Sequence, residues 1–365
     1  MMPTIRLTAG LIWGYIADKY RCRKPITLFN KIFGVGVLCL LGVPYLSKTY
    51  SDIVIISCVS SLFTSGGILD AYCLDLLGEK HKEKYGRYRL WLAISYGGGS
   101  VIMGWVTWKY GNFDYNFLLY ALFAGLSVTF TWIYILDKTK SEKKITSSEI
   151  KFTEFLRLFL NWRSCLFLLE MTIMGMAMAL VERLLFVYVM EDPAEGGLGG
   201  NALLCGYTVG VTVIFEIPIF HNAKKLLKWP GRDCLYLISM FCYVIRVYGY
   251  TLLTHDTRYY LLGLEWLHGF TYACMWISSI DYSREVAPEG WITSTQMLVT
   301  GSYSMLGTSL GSLIGGYEMQ LYGFRTVYYH AAIFLAIIFL LHMITAISLR
   351  KFTTKSGLFN KNKKK

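Results

Sequence analysis

Residues 202–221 read ALLCGYTVGVTVIFEIPIFH, and residues 222–232 continue as NAKKLLKWPGR. The first stretch is long enough for a helix to cross about 30 Å of hydrocarbon and carries a single carboxylate, Glu216. The second places Lys224, Lys225, Lys228 and Arg232 within one short turn. An apolar span ending in a basic turn is one unit of a pattern that repeats along the 365 residues. The chain is 54% hydrophobic and only 16% charged, against about a quarter charged in a soluble protein, which excludes ordinary cytosolic globularity.

Working outward, apolar runs of about 17 to 25 residues predict eleven spans. They lie near 3–17, 25–46, 53–76, 90–108, 115–136, 164–190, 202–221, 234–254, 258–280, 291–317 and 326–349. The first contains Arg6 and lacks the charged start and small-residue cleavage site of a signal peptide, so it reads as a bundle helix that is not processed. Of the 36 Lys and Arg residues, 28 fall in alternate loops on one side, and the other side holds only Lys48, Lys109, Arg258 and Arg325. Arg6, Lys31, Arg183 and Arg246 fall inside spans. This asymmetry predicts that the basic loops and the C-terminus are cytoplasmic. The formal charge of +12 therefore records topology and attraction to lipid headgroups, notably at Lys363, Lys364 and Lys365, and not nucleic-acid binding. The polar stretch near 137–162 separates five spans from six, giving an N-terminal bundle over 1–140, a linker over 141–162, a C-terminal bundle over 163–350 and a basic tail over 351–365.

Nine cysteines without a CxxC pair predict neither structural zinc nor a disulfide framework. The sequence holds no GxxxxGK[ST] phosphate loop, no HExxH and no GxSxG, which argues against ATP-driven transport and against the enzymes those motifs mark. No metal and no cofactor is expected.

Three sets of motifs remain. Gly14-Tyr15-Ile16-Ala17-Asp18-Lys19-Tyr20-Arg21-Cys22-Arg23-Lys24 closes the first span with a glycine that permits close helix approach, an acid and a run of cations. Asp70, Asp75 and Leu77-Gly78 precede Tyr85-Gly86-Arg87-Tyr88-Arg89-Leu90-Trp91, which runs into Gly97-Gly98-Gly99. Glu182-Arg183, Glu216-Ile217-Pro218, Tyr243-Val244-Ile245-Arg246 and Glu265-Trp266-Leu267-His268-Gly269 follow in order, then Trp276 and a glycine series at 307, 311 and 315.

The first set resembles the loop 2–3 signature of the major facilitator superfamily, with Arg21 where a glycine is usual and Cys22 where a cation is usual. The second is similar to the loop 4–5 segment of lactose-permease-like and nucleoside proton symporters. Together with the third set, the chain resembles the "major facilitator superfamily associated domain" branch, the domain-containing protein 6 group, over residues 5–349. The resemblance implies two helical bundles around a central cavity, alternating access, a small organic solute as partner, and a monomer. Residues 3–17 would then correspond to the second helix of the usual twelve, so the first is expected to be missing from this chain.

An ionisable group inside a membrane is costly unless paired or hydrated, which makes each one a functional candidate. Glu265 and His268 are three apart on one helix face, which Tyr272 continues. Arg246 shares its face with Tyr243 and Tyr250. In lactose-permease-like symporters an Arg of the ninth helix and a Glu/His set of the tenth carry proton coupling, and the resemblance maps these onto Arg246, Glu265 and His268. Glu265 is thus expected to bind the coupling proton, Arg246 to tune it, and His268 to relay the proton or hydrogen-bond the solute. The alternative is a static Arg246–Glu265 pair that only fixes helix register. Glu182 is expected toward the solute, with Tyr243, Tyr272 and Trp276 stacking on a sugar, nucleoside or aromatic ring. Glu216 and Pro218 suit a kinked gate, or else a carboxylate held in a packed bend. Gly307, Gly311 and Gly315 form a packing ridge, Met171, Met174 and Met178 read as core or lipid face, and His330 and His342 as structural. A second reading of the whole chain, from another class, is a transport-fold receptor or interaction protein, or a short form that moves nothing.

Overall fold

The computed structural model describes residues 22–63, 85–135, 162–286 and 292–356, with isolated positions between 5 and 20 and at 68–69. All regular structure among them is helical. In order these are α1 (Arg23–Cys39), α2 (Tyr50–Ser61), α3 (Tyr85–Tyr110), α4 (Asp114–Tyr134), α5 (Trp162–Met190), α6 (Ala202–His221), the short α7 (Ala223–Lys228), α8 (Arg232–Thr251), α9 (261–286), α10 (292–322) and α11 (Phe324–Ser356). Gly14, Asp18, Asp70 and Asp75 lie outside the described residues. Tyr85, Gly86, Arg87 and Arg89 begin α3, but their side chains also lie outside them.

Seven of these helices are continuous and apolar enough to span a membrane. Two further expected spans are present as helical segments that are not among these seven. The expected spans 258–280 and 291–317 are each single runs of chain, but a π-helical turn interrupts each, at Gly269–Cys274 and at Ser302–Gly307. A third π turn, Leu180–Leu184, lies within α5. Such turns insert a residue into the helical ladder and often mark functional segments.

Side-chain caps close the starts of α2 and α6, while α1, α4, α7 and α8 start without one. The Asn201 side chain accepts from the Leu204 amide (2.9 Å) at the start of α6, and Thr49 and Asp52 exchange hydrogen bonds at the start of α2. Gly323, with φ +79°, supplies the left-handed residue that turns α10 into α11.

Two glycine contacts fix the packing that positions the site. On α5 and α10, a side chain at Gly307 would strike the Thr172 carbonyl, one at Gly311 the Met176 carbonyl and one at Gly315 the Leu180 side chain, so this ridge brings the two backbones together. On α3 and α6, Gly104 faces Gly206 and the Ala202 carbonyl, while Gly97 faces Val213. Met171, Met174 and Met178 are fully buried in the core of α5, α8, α10 and α11.

Candidate functional site

Arg246, in the last two turns of α8, is 1% exposed, and so is Glu265 at the end of the first segment of α9. Arg246 donates from Nη2 to Glu265 Oε2 (2.7 Å) and from Nε to Oε1 (3.4 Å). Tyr250, one turn along α8, donates its hydroxyl to Glu265 Oε1. The remaining arm of the guanidinium, Nη1, meets His268 Nδ1 at 2.6 Å. A guanidinium only donates, so Nδ1 must be the bare nitrogen and the ring proton sits on Nε2. Nε2 lies 3.1 Å from Glu216 Oε1 on α6. Three helices are thereby joined in one buried line, Glu216–His268–Arg246–Glu265–Tyr250. Counting Arg246 as positive, both glutamates as negative and His268 as neutral, the line carries one negative charge in excess.

An aromatic row leads away from this line. The His268 ring lies parallel to Tyr272 (centroids 5.7 Å), Tyr272 parallel to Trp276 (5.8 Å), and Trp276 meets Tyr303 edge-on (5.8 Å). Tyr303 donates to Glu182 Oε1 at 3.3 Å. The π turns of α9 and α10 contain Tyr272 and Tyr303, and that of α5 contains Glu182 and Arg183. Glu182 and Arg183 are both exposed, and α3, which carries Tyr96, packs on α6, which carries Glu216.

The structure thus brings together Arg246, Glu265, His268, Tyr272, Trp276 and, at the far end, Glu182. It adds Glu216, which the sequence suggested only as part of a kink with Pro218. Tyr243 stands apart from the row: it is fully buried in the core and donates its hydroxyl to the Ala177 carbonyl on α5. Tyr250, Tyr303 and Tyr96 are additions; only Tyr250 had a signal, its helical spacing from Arg246. A second buried pair also escaped notice, His342 Nδ1 of α11 and Glu170 Oε1 of α5 at 2.6 Å. Its signal was a carboxylate within the apolar run of α5. Arg23 starts α1, and no group of three metal-ligating side chains occurs among the described residues.

Several known proteins resemble this chain in sequence or fold. The model of the MFS_1 like family matches residues 1–330. The maltose permease of Geobacillus stearothermophilus is 23% identical over 335 residues, covering 89% of this chain and 79% of that protein. The crystal structure of the nucleoside transporter NupG superposes with a TM-score of 0.73 at 16% identity, over 94% of this chain and 87% of that one. A POT family transporter in complex with 5-aminolevulinic acid superposes with a TM-score of 0.72 at 12% identity, covering 94% and 85%.

Proposed function

The chain belongs to the MFS_1 like family of the major facilitator superfamily and is a multi-pass membrane transport protein with the two-bundle facilitator fold, and we propose that it couples proton movement to symport of a small organic solute. The bundles are residues 1–140 and 163–350, joined by the linker 141–162, with the basic loops and the tail 351–365 in the cytoplasm. The observation that carries the coupling is the buried line Glu216–His268–Arg246–Glu265, which sets two carboxyl groups against one guanidinium where an unbalanced charge is costly.

The geometry favours entry of the proton at Glu216 over Glu265, where the sequence placed it. Glu265 accepts from Arg246 and from Tyr250 and is neutralised in place. Glu216 reaches the guanidinium only through the neutral His268 ring. One proton on the Glu216–His268 contact balances the line. Its departure restores the negative charge and the attraction that runs through His268 to Arg246, giving α6 and α9 two arrangements that a transport cycle can exchange.

The solute would lie between the aromatic row and α3. Stacked rings suit a flat or ring-shaped solute, and an exposed Glu182 accepts hydrogen bonds from hydroxyls. We therefore rank a sugar or a nucleoside above an aromatic acid. The names of the maltose permease and nucleoside transporter relatives point the same way.

The test is uptake by the full chain in reconstituted vesicles, using labelled sugars and nucleosides as probes. Glu216→Gln should abolish accumulation driven by a pH gradient and retain exchange of labelled for unlabelled solute. Accumulation that survives the substitution would leave the line as a static ion pair. If neither the protein nor its variants move any probe, the interaction-protein reading replaces transport.

A further inference from the structure

A groove of ≈450 Å³ opens where the end of α6 meets α7 and α9, away from the charged line. Phe215, Ile219, Leu226 and Phe270 wall it, and Asn222 and Lys225 are its polar residues. Asn222 is occupied, since its Nδ2 donates to the Pro218 carbonyl at 2.8 Å. α6 and α9 touch closely beside it, with Gly269 against the Phe215 carbonyl, so Glu216 and His268 meet on the inner side of the same pair of helices whose outer side forms the groove.

We propose that this groove binds one acyl chain of an anionic phospholipid, with the lipid phosphate held by Lys225 and Lys228. Four observations lead to that occupant. The groove lies at the end of a membrane-spanning helix, on the basic face, where an open apolar surface meets lipid. Its volume suits part of a chain, and its walls are apolar apart from Asn222, which is occupied, and Lys225 at the rim. Lys225 is at the rim, and Lys228 lies three residues on, on the same side of α7. Trp229, which also lines the groove, is 82% exposed, as an anchor at the headgroup level is.

Charge complementarity then selects the headgroup. Lys225 and Lys228 form no ion pair among the described residues, and the nearby acids of α9, Asp281 and Glu285, are both paired with Arg232. A phosphate at this rim therefore meets two uncommitted ammonium groups. A zwitterionic headgroup gains less there than an anionic one. Because Pro218 lies in the groove wall two residues from Glu216, an inserted chain braces the bend of α6 directly behind the Glu216–His268 contact. The inference stands without the transport reading, since it concerns binding alone.

The test is native mass spectrometry of the full chain in detergent, titrated with phosphatidylglycerol or phosphatidylcholine. The wild-type chain should retain one phosphatidylglycerol in preference to phosphatidylcholine. Lys225→Gln/Lys228→Gln should weaken that binding about 30-fold, two cations each contributing roughly a factor of five to six near an anionic surface, and leave phosphatidylcholine unchanged. Both lysines are exposed, so their replacement leaves the fold intact and the result is decisive on its own. Leu226→Trp, which fills the groove, should remove the retained lipid of either kind. Glycerol 3-phosphate in excess should displace nothing. Equal retention of phosphatidylglycerol by wild type and the lysine variant, equal retention of the two lipids by wild type, or displacement by glycerol 3-phosphate would each overturn the proposal.

Discussion

The helices before the polar stretch and those after it bury different chemistry. Among the described residues, the buried polar side chains of α1–α4 are all hydroxyls or amides: Thr27, Asn30, Ser57, Ser61, Thr107 and Thr131. α5–α11 bury Glu170, Glu216, Arg246, Glu265 and His268 as well. The cation inside the first group, Lys31, is half-buried and donates to Ser127 Oγ (2.7 Å) and Thr131 Oγ1 (3.0 Å). Among the described residues, the first group thus offers neutral acceptors that hold a charge in place, and the second offers linked carboxylate, imidazole and guanidinium groups. Under the proposed function this is a division of labour, in which α5–α11 carry the coupling chemistry and α3 packs closely on α6 through Gly97 and Gly104.

Breaking the charged half should cost most. Arg246→Met leaves Glu265 buried without its cation and should destabilise the protein by about 3–5 kcal/mol, read as a fall in thermal stability in detergent. Arg246→Met/Glu265→Leu removes both charges and should recover most of that stability while leaving pH-driven accumulation lost. Recovery of accumulation as well would reduce the pair to a structural element.

A smaller effect is expected at the boundary between the halves. Gly206→Leu places a side chain against the Ser100 carbonyl of α3, which a Cβ alone already approaches at 2.8 Å. Overpacking of that kind costs about 1–3 kcal/mol and should slow solute exchange more than it weakens solute binding. The comparison of exchange rate with half-saturation concentration checks it.

The smallest effect belongs to the neutral half. Lys31→Met forfeits two hydrogen bonds to hydroxyls and should alter stability by only about 1 kcal/mol, with proton coupling unchanged. Loss of coupling in that variant would place part of the proton chemistry in α1–α4 and remove the contrast between the halves.

Much of this was legible in the order of residues. Charges inside apolar runs are rare because they are costly, so Arg246, Glu265 and His268 announced themselves, and spacing put Glu265 and His268 on one face. The alternation of apolar runs with basic turns predicted eleven spans, and among the described residues seven helices are long and apolar enough to be such spans. What spacing along one helix leaves open is which face of another helix it meets. The Glu216–His268 and Glu170–His342 pairs join residues 52 and 172 positions apart in the chain, and their contact depends on helix rotation. The three π turns were equally hidden, because an inserted residue shifts the register without changing composition. Tyr243 misled for the same reason: it shares a helix with Arg246, yet its hydroxyl is aimed at the backbone of α5.

The central claim is that one proton resides on the Glu216–His268 contact. Infrared difference spectroscopy of the purified chain between acid and alkaline pH reports a protonated carboxyl directly and needs no solute. The account predicts a carboxylic-acid signal that Glu216→Gln abolishes and Glu265→Gln retains; a signal lost only in Glu265→Gln, or unchanged in Glu216→Gln, would contradict it.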